Sequence, residues 1–161
     1  MNEYRENQPT ENVLPQMPGS GRIGIIAPAS PFDPDLFEAG LAVISNLGWT
    51  PVVPNTIWDK KGYLAGDDAH RVAQMHRMFT DPSIGAIICA RGGFGAMRLL
   101  PLLDFDLIAK NPKPFIGFSD ITVLLNAFCD RCKMVTFHGP VVTSLAQNNS
   151  GTVEALHQAK G

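Results

Sequence analysis

Chemistry enters this chain at Ser119. The run Lys113-Pro-Phe-Ile-Gly-Phe-Ser-Asp-Ile-Thr-Val-Leu-Leu-Asn-Ala-Phe128 reads as a buried strand, a Gly-x-Ser turn and a helix. A serine at such a strand-to-helix elbow is exposed, with the backbone N–H groups of the helix start beside it, where a developing oxyanion can be held. Those are the requirements for nucleophilic attack on an acyl carbon. The run departs from Gly-x-Ser-x-Gly by placing Ile121 where the second glycine would stand. A competing reading makes Ser119 or Asp120 an ordinary helix N-cap, a position that both residue types favour.

Arg91-Gly-Gly-Phe-Gly95 lies between a predicted strand and a predicted helix, so its glycines permit a tight turn whose N–H groups face an anion. A dinucleotide fingerprint needs glycine at the first, third and sixth positions. Counted from Gly93 the sixth residue is Arg98, and counted from Gly92 the third is Phe94, so that use fails. Two uses remain: an N–H from Gly92 or Gly93 acting with that of Asp120 on the oxygen activated at Ser119, or glycine-mediated close packing. His138, in Phe137-His-Gly-Pro140, falls at the same sheet edge as Ser119, as a base or as a ring that orders its loop.

Cys129 and Cys132 have a Cys-x-x-Cys spacing but sit at the expected C-terminal end of a helix, where the dipole disfavours a thiolate, and no second ligand pair accompanies them. They read as packing residues, and neither a metal nor a cofactor is expected. His70, His76 and His157 read as solvated.

The elements that position these residues follow from hydrophobic patterning. Residues 1–20 are polar and rich in Asn, Gln, Glu and Pro, a composition that cannot repay its ordering entropy, and are expected to form a disordered tail. Apolar runs predict strands near 23–27, 51–53, 84–90, 115–118 and 134–137. Asp33-Pro34 supplies an N-cap and a first helical residue, after which Leu36, Phe37, Leu41, Ile44 and Leu47 recur at helical spacing until Gly48. Residues 59–68 read as a long loop. Further helices are expected from about 68 through Val72, Met75 and Phe79, over 97–103, and over 120–130, with 108–113 as a connection. Strands alternating with helices predict an α/β fold, a flavodoxin-like three-layer sandwich with a mostly parallel sheet and helices on both faces. Three loops then share the carboxyl edge: residues 28–31, 91–95 and 117–120.

With 161 residues the chain can build one core unaided. A net charge of −2, with 13 Lys and Arg forming no stripe, argues against a nucleic-acid partner. The three cysteines are an odd number, the N-terminus has no apolar segment, and no apolar stretch approaches bilayer length, so a cytoplasmic chain without a membrane partner is expected.

The four motifs Gly24-Ile-Ile-Ala-Pro-Ala-Ser30, Ala90-Arg-Gly-Gly-Phe-Gly95, Gly117-Phe-Ser-Asp-Ile-Thr122 and His138-Gly-Pro140, in that order, resemble the N-terminal half of the LD-carboxypeptidases, a family that includes the microcin C self-immunity peptidases. The resemblance covers about residues 22–147. It implies a serine peptidase with a Ser-Glu-His triad that cuts the L,D amide bond before the terminal D-alanine of murein tetrapeptide during cytoplasmic peptidoglycan recycling. Ser119 would be the nucleophile, with the N–H groups of Asp120 and of the Gly92-Gly93 turn as the oxyanion hole. Arg91, Phe94 and His138 would border the substrate. The family usually has tyrosine at the position of Phe94.

The Glu and His of the triad would come from a C-terminal domain, which the resemblance places beyond residue 161, with the linker starting in 148–161 and residues 21–147 forming the nucleophile-bearing domain. This chain alone is therefore expected to be nearly inactive, to expose apolar surface where the second domain docks, and to form a homodimer when complete. Three alternatives stand beside this reading. They are a non-catalytic peptide-binding module, a microcin-immunity-type half acting on a peptidyl-nucleotide, and a flavodoxin-like domain with a phosphate on the glycine turn.

Overall fold

The computed structural model of the protein describes residues 11–16 and 19–147. The rest of the expected tail, the expected linker start at 148–161 and His157 lie outside the described residues. Five strands, β1 (Gly21–Ile26), β2 (Trp49–Val52), β3 (Ile84–Cys89), β4 (Phe115–Gly117) and β5 (Phe137–His138), pair in parallel in the order β2-β1-β3-β4-β5. This is the flavodoxin-like order, as the alternating pattern predicts. The chain leaves β1 towards β2 on one side and returns to β3 on the other, so the order reverses between β1 and β3. Loops diverge at such a switch point and open a crevice at the carboxyl ends of the strands.

Helices α1 (Pro34–Asn46) and α5 (Val142–Leu145) cover one face, while α2 (Asp68–Thr80), α3 (Phe105–Lys110) and α4 (Thr122–Cys132) cover the other. Strand β3 and the residue after it show how two-sided burial works at a period of two. Ala86, Ile88 and Ala90 join the core beneath α1, and Ile87 and Cys89 join the core beneath α2 and α4. Under α2 and α4, Phe79, Phe115 and Phe128 form an aromatic cluster with centroids 5.0 to 5.8 Å apart. Helix α1 begins as expected, with the Asp33 carboxylate accepting from the N–H groups of Asp35 and Leu36 and Pro34 as the first helical residue.

Four expectations are corrected. The helix expected over 97–103 is a 3-10 helix, Ala96–Leu102, because Pro101 within it lacks the N–H that an α-helical ladder needs. The first half of the connection expected at 108–113 belongs to α3, which starts where the Asp104 side chain accepts from the N–H of Leu107. The last strand is shifted to Phe137–His138, and Met134 bridges Val13 instead. Val13 thus departs from the tail reading: it donates to Lys133 O at 2.6 Å and accepts from Val135 N at 2.8 Å.

Candidate active site

Strand β4 ends at Gly117, and Ser119 follows in a left-handed backbone conformation at φ +62°. A non-glycine residue pays roughly 1–2 kcal/mol for that conformation, which here turns the chain sharply from strand to helix and leaves the serine exposed. A 3-10 turn, Ser119–Ile121, leads into α4. The N-cap reading fails, because no side-chain cap bond forms at the start of either the turn or α4. The Asp120 carboxylate instead reaches across to the glycine turn and accepts from Ala96 N at 2.8 Å. Among the described residues the Ser119 hydroxyl takes part in no hydrogen bond, so none of them is bonded to it as a base.

The glycine turn lies directly against this elbow. A Cβ on Gly92 would stand 3.0 Å from both Phe118 O and Ser119 Cβ. Gly93 has φ +112°, and a Cβ there would collide with the Ser30 side chain. Ser30 fastens the turn from the β1 loop, donating its N–H to Gly92 O at 3.3 Å and accepting from Phe94 N at 3.0 Å. In a trans peptide the N–H points opposite to the C=O, so the Gly93 N–H faces away from Ser30. Neither Gly92 nor Gly93 donates its N–H to a partner among the described residues.

The remaining residues named from sequence surround this centre. Exposed Arg91 donates from Nη1 to Pro31 O at 2.7 Å. Phe94, more than half exposed, meets the Tyr63 ring edge-on at 5.3 Å. His138 pairs in register with Gly117, and its exposed ring lies 5.3 Å from that of Phe118 without a hydrogen bond to Ser119. Tyr63, Phe94, Met97 and Phe118 are all at least half exposed, which gives the site an apolar rim.

Several contributors escape the sequence reading. Arg71 is buried behind the turn, donating to Pro28 O at 2.6 Å, Gly95 O at 3.1 Å and Asp68 Oδ1 at 2.5 Å. Asp68 also receives a two-pronged contact from Arg98, with Nη2 2.7 Å from Oδ2 and Nε 3.0 Å from Oδ1. Ser30 lies in the 28–31 loop at the carboxyl edge, as the pattern predicts, but nothing local in the sequence marks its hydroxyl as the one that holds Phe94 N. Two histidines read as solvated are engaged: His70 contacts Gln74 and Asp59, and His76 accepts from Asp104 N at 3.0 Å. Of the Cys129-Cys132 pair, Cys132 packs in the core, whereas Cys129 is half-buried and its Sγ accepts from Asn12 Nδ2 at 3.6 Å; Cys89 is also buried. Burial raises the Cys132 thiol to about 11 and pushes Cys89 higher still, so neither is a thiolate at neutral pH.

The hydrogen bond from Arg98 holds the Asp68 carboxyl below the usual carboxylate range, with Arg71 adding to the effect against some desolvation. A folded-state pKa below the unfolded one gives stability that is present above the unfolded value and is lost as pH falls through the folded value. Asp68→Asn is therefore expected to be less stable than the parent at pH 7. Urea titrations should show the gap closing only below the ordinary carboxylate pKa of about 3.9. A gap independent of pH would remove the ion pairs as its cause.

Fold and site together define a flavodoxin-like domain that presents a serine on a strained elbow against a glycine turn. The family model for the LD-carboxypeptidase N-terminal domain matches residues 23–139, and the chain belongs to that family. A murein tetrapeptide carboxypeptidase of Pseudomonas aeruginosa is 43% identical over 129 residues, which cover 80% of this chain and 42% of that protein. A probable murein peptide carboxypeptidase of Bacillus subtilis is 43% identical over 122 residues, 76% of this chain and 38% of that one. The chain thus spans less than half the length of these relatives. Among solved structures, an MccF-like protein from Bacillus anthracis superposes with a TM-score of 0.87 at 29% identity, covering 91% of this chain and 46% of that one. No helix among the described residues is long and apolar enough to cross a membrane.

Proposed function

We propose that this chain is the nucleophile-bearing half of a serine-type LD-carboxypeptidase that releases the terminal D-alanine of murein tetrapeptide in cytoplasmic peptidoglycan recycling. The observation that carries this reading is Ser119 at φ +62°, with the unpartnered N–H groups of the Gly92-Gly93 turn packed beside it. In the proposed reaction Ser119 Oγ attacks the L,D amide carbon and its proton passes to a base. The oxyanion is held by the N–H of Asp120 and one from the turn, and the leaving D-alanine amine takes up the proton. Water then hydrolyses the acyl-enzyme. Arg91 offers a cation for the substrate carboxylate, while Phe94 and His138 border its side chains.

The Glu and His of the triad are proposed to come from a C-terminal domain of the kind that would account for the extra length of the relatives, in an enzyme that is a homodimer when complete. The apolar rim of Tyr63, Phe94, Met97 and Phe118 suits the docking of such a domain. D-alanine release from murein tetrapeptide tests this directly, using the chain alone and the chain mixed with a separately expressed C-terminal half of the Pseudomonas relative. Release only in the mixture is the expected result. Release by the chain alone at the same rate would mean that its base lies within these residues. Peptide binding without release in an associated mixture would favour a non-catalytic module. The B. anthracis likeness supports one second reading, a microcin-immunity-type half, and cleavage of a peptidyl-nucleotide in preference to tetrapeptide would select it.

A further inference from the structure

The guanidinium of Arg71 is the least expected group in the molecule. Its side chain is fully buried, and Nε has no partner among the described residues. Burying a cation carries a desolvation penalty of several kcal/mol, and a buried ion pair is often no more stabilising than an apolar filling of equal volume. Stability is thus a weak account of it. What an apolar side chain could not do is hold two carbonyls from different loops, as Arg71 Nη1 does with Pro28 O and Gly95 O.

The second of these carbonyls places Arg71 in the site. Gly95 C=O and Ala96 N–H belong to one peptide unit, which is fixed at both ends: by Arg71 on the oxygen, and by the Asp120 carboxylate, one residue after Ser119, on the nitrogen. Pro28 C=O stands two residues before Ser30, which holds the other end of the same turn at Gly92 O and Phe94 N. Arg71 therefore connects the two supports of the glycine turn. Asp68, shared with Arg98, fixes Arg71 in turn.

We infer that Arg71 is a positioning residue for the oxyanion hole, setting where the Gly92 and Gly93 N–H groups lie relative to Ser119 Oγ without itself touching substrate. This inference rests on Ser119 being the nucleophile. The experiment therefore has one readout that depends on that reading and one that does not. On the 161-residue chain as it stands, the first readout is the amide resonances of Gly92 and Gly93 in proton–nitrogen correlation spectra. The second, on the chain complemented with the C-terminal half of the Pseudomonas relative, is the saturating rate at which an alkyl fluorophosphonate labels Ser119, forming an Oγ–P bond with release of fluoride and of the serine proton to the base.

Arg71→Met is expected to shift both glycine resonances while those of the β3 and α4 cores stay in place. It should slow labelling about 100-fold with an unchanged half-saturating concentration, the scale of a misplacement near 1 Å. Arg71→Lys keeps the charge and one carbonyl contact, should recover part of the rate, and serves if the methionine variant does not fold. A folded Arg71→Met with parental glycine resonances overturns the inference, as does unaltered labelling. If the complemented parent labels no faster than its Ser119→Ala variant, the nucleophile assignment fails, and the glycine resonances alone then decide whether Arg71 sets the turn.

Discussion

Replacing Ser119 by alanine is expected to cut D-alanine release by the chain complemented with a C-terminal half by about 10⁶-fold, the scale on which loss of a nucleophile acts when triad members work as a unit. The fold should hardly change, because Ser119 is exposed and its hydroxyl bonds to nothing among the described residues. Backbone strain at φ +62° remains with alanine, so the variant keeps the elbow and the proposed oxyanion donors and loses only Oγ. His138→Ala makes the contrasting case. Its exposed ring packs on Phe118 at the pocket rim, so its loss should raise KM with little change in kcat. A kcat loss for His138→Ala as large as that for Ser119→Ala would make His138 the base and overturn the proposal that a second domain supplies it.

The contrast between these two residues also marks what the sequence could reveal. Features encoded by neighbours in the chain were legible: the Asp33-Pro34 helix start, the apolar strand runs and the strand–serine–helix elbow all depend on residues a few positions apart. Features created by closure of distant loops were not. Arg71 lies in α2 in helical register with Met75 and Met78, which places it on the core face, unlike exposed Arg77, but nothing in that spacing says which groups its guanidinium would bond. Only when the loops after β1 and β3 meet at the switch point do Pro28 and Gly95 enclose it. Asp120 shows the same limit from the other side. Its type and position fitted an N-cap, but its carboxylate is taken by Ala96, which is 24 residues away in sequence. The helix at Phe105–Lys110 is a different kind of omission, since Asp104 and the apolar residues after it formed a local start signal that the reading as a connection passed over.

The same long-range contact makes Gly92 the most informative backbone position. Its added methyl would press on Phe118 O and on Ser119 Cβ at 3.0 Å, tighter than ordinary van der Waals contact, and neither is the free end of a flexible side chain. Phe118 O is already bonded to Ile121 N in the turn that starts α4, and Ser119 occupies a narrow left-handed well, so relief must come from the glycine turn moving outward. That turn is restrained at Gly92 O by Ser30 and at Gly95 O by Arg71, which limits how far it can retreat. Gly92→Ala is therefore expected to cost about 1–3 kcal/mol of stability, as small-to-large changes in close-packed sites do. In the complemented protein it should lower kcat about 100-fold, because a displaced donor loses more in the transition state than in the ground state. Urea unfolding and steady-state kinetics on one preparation separate the two effects. A stability loss with kcat unchanged would show that the turn packs against Ser119 without serving its oxyanion, and would move the donor role elsewhere.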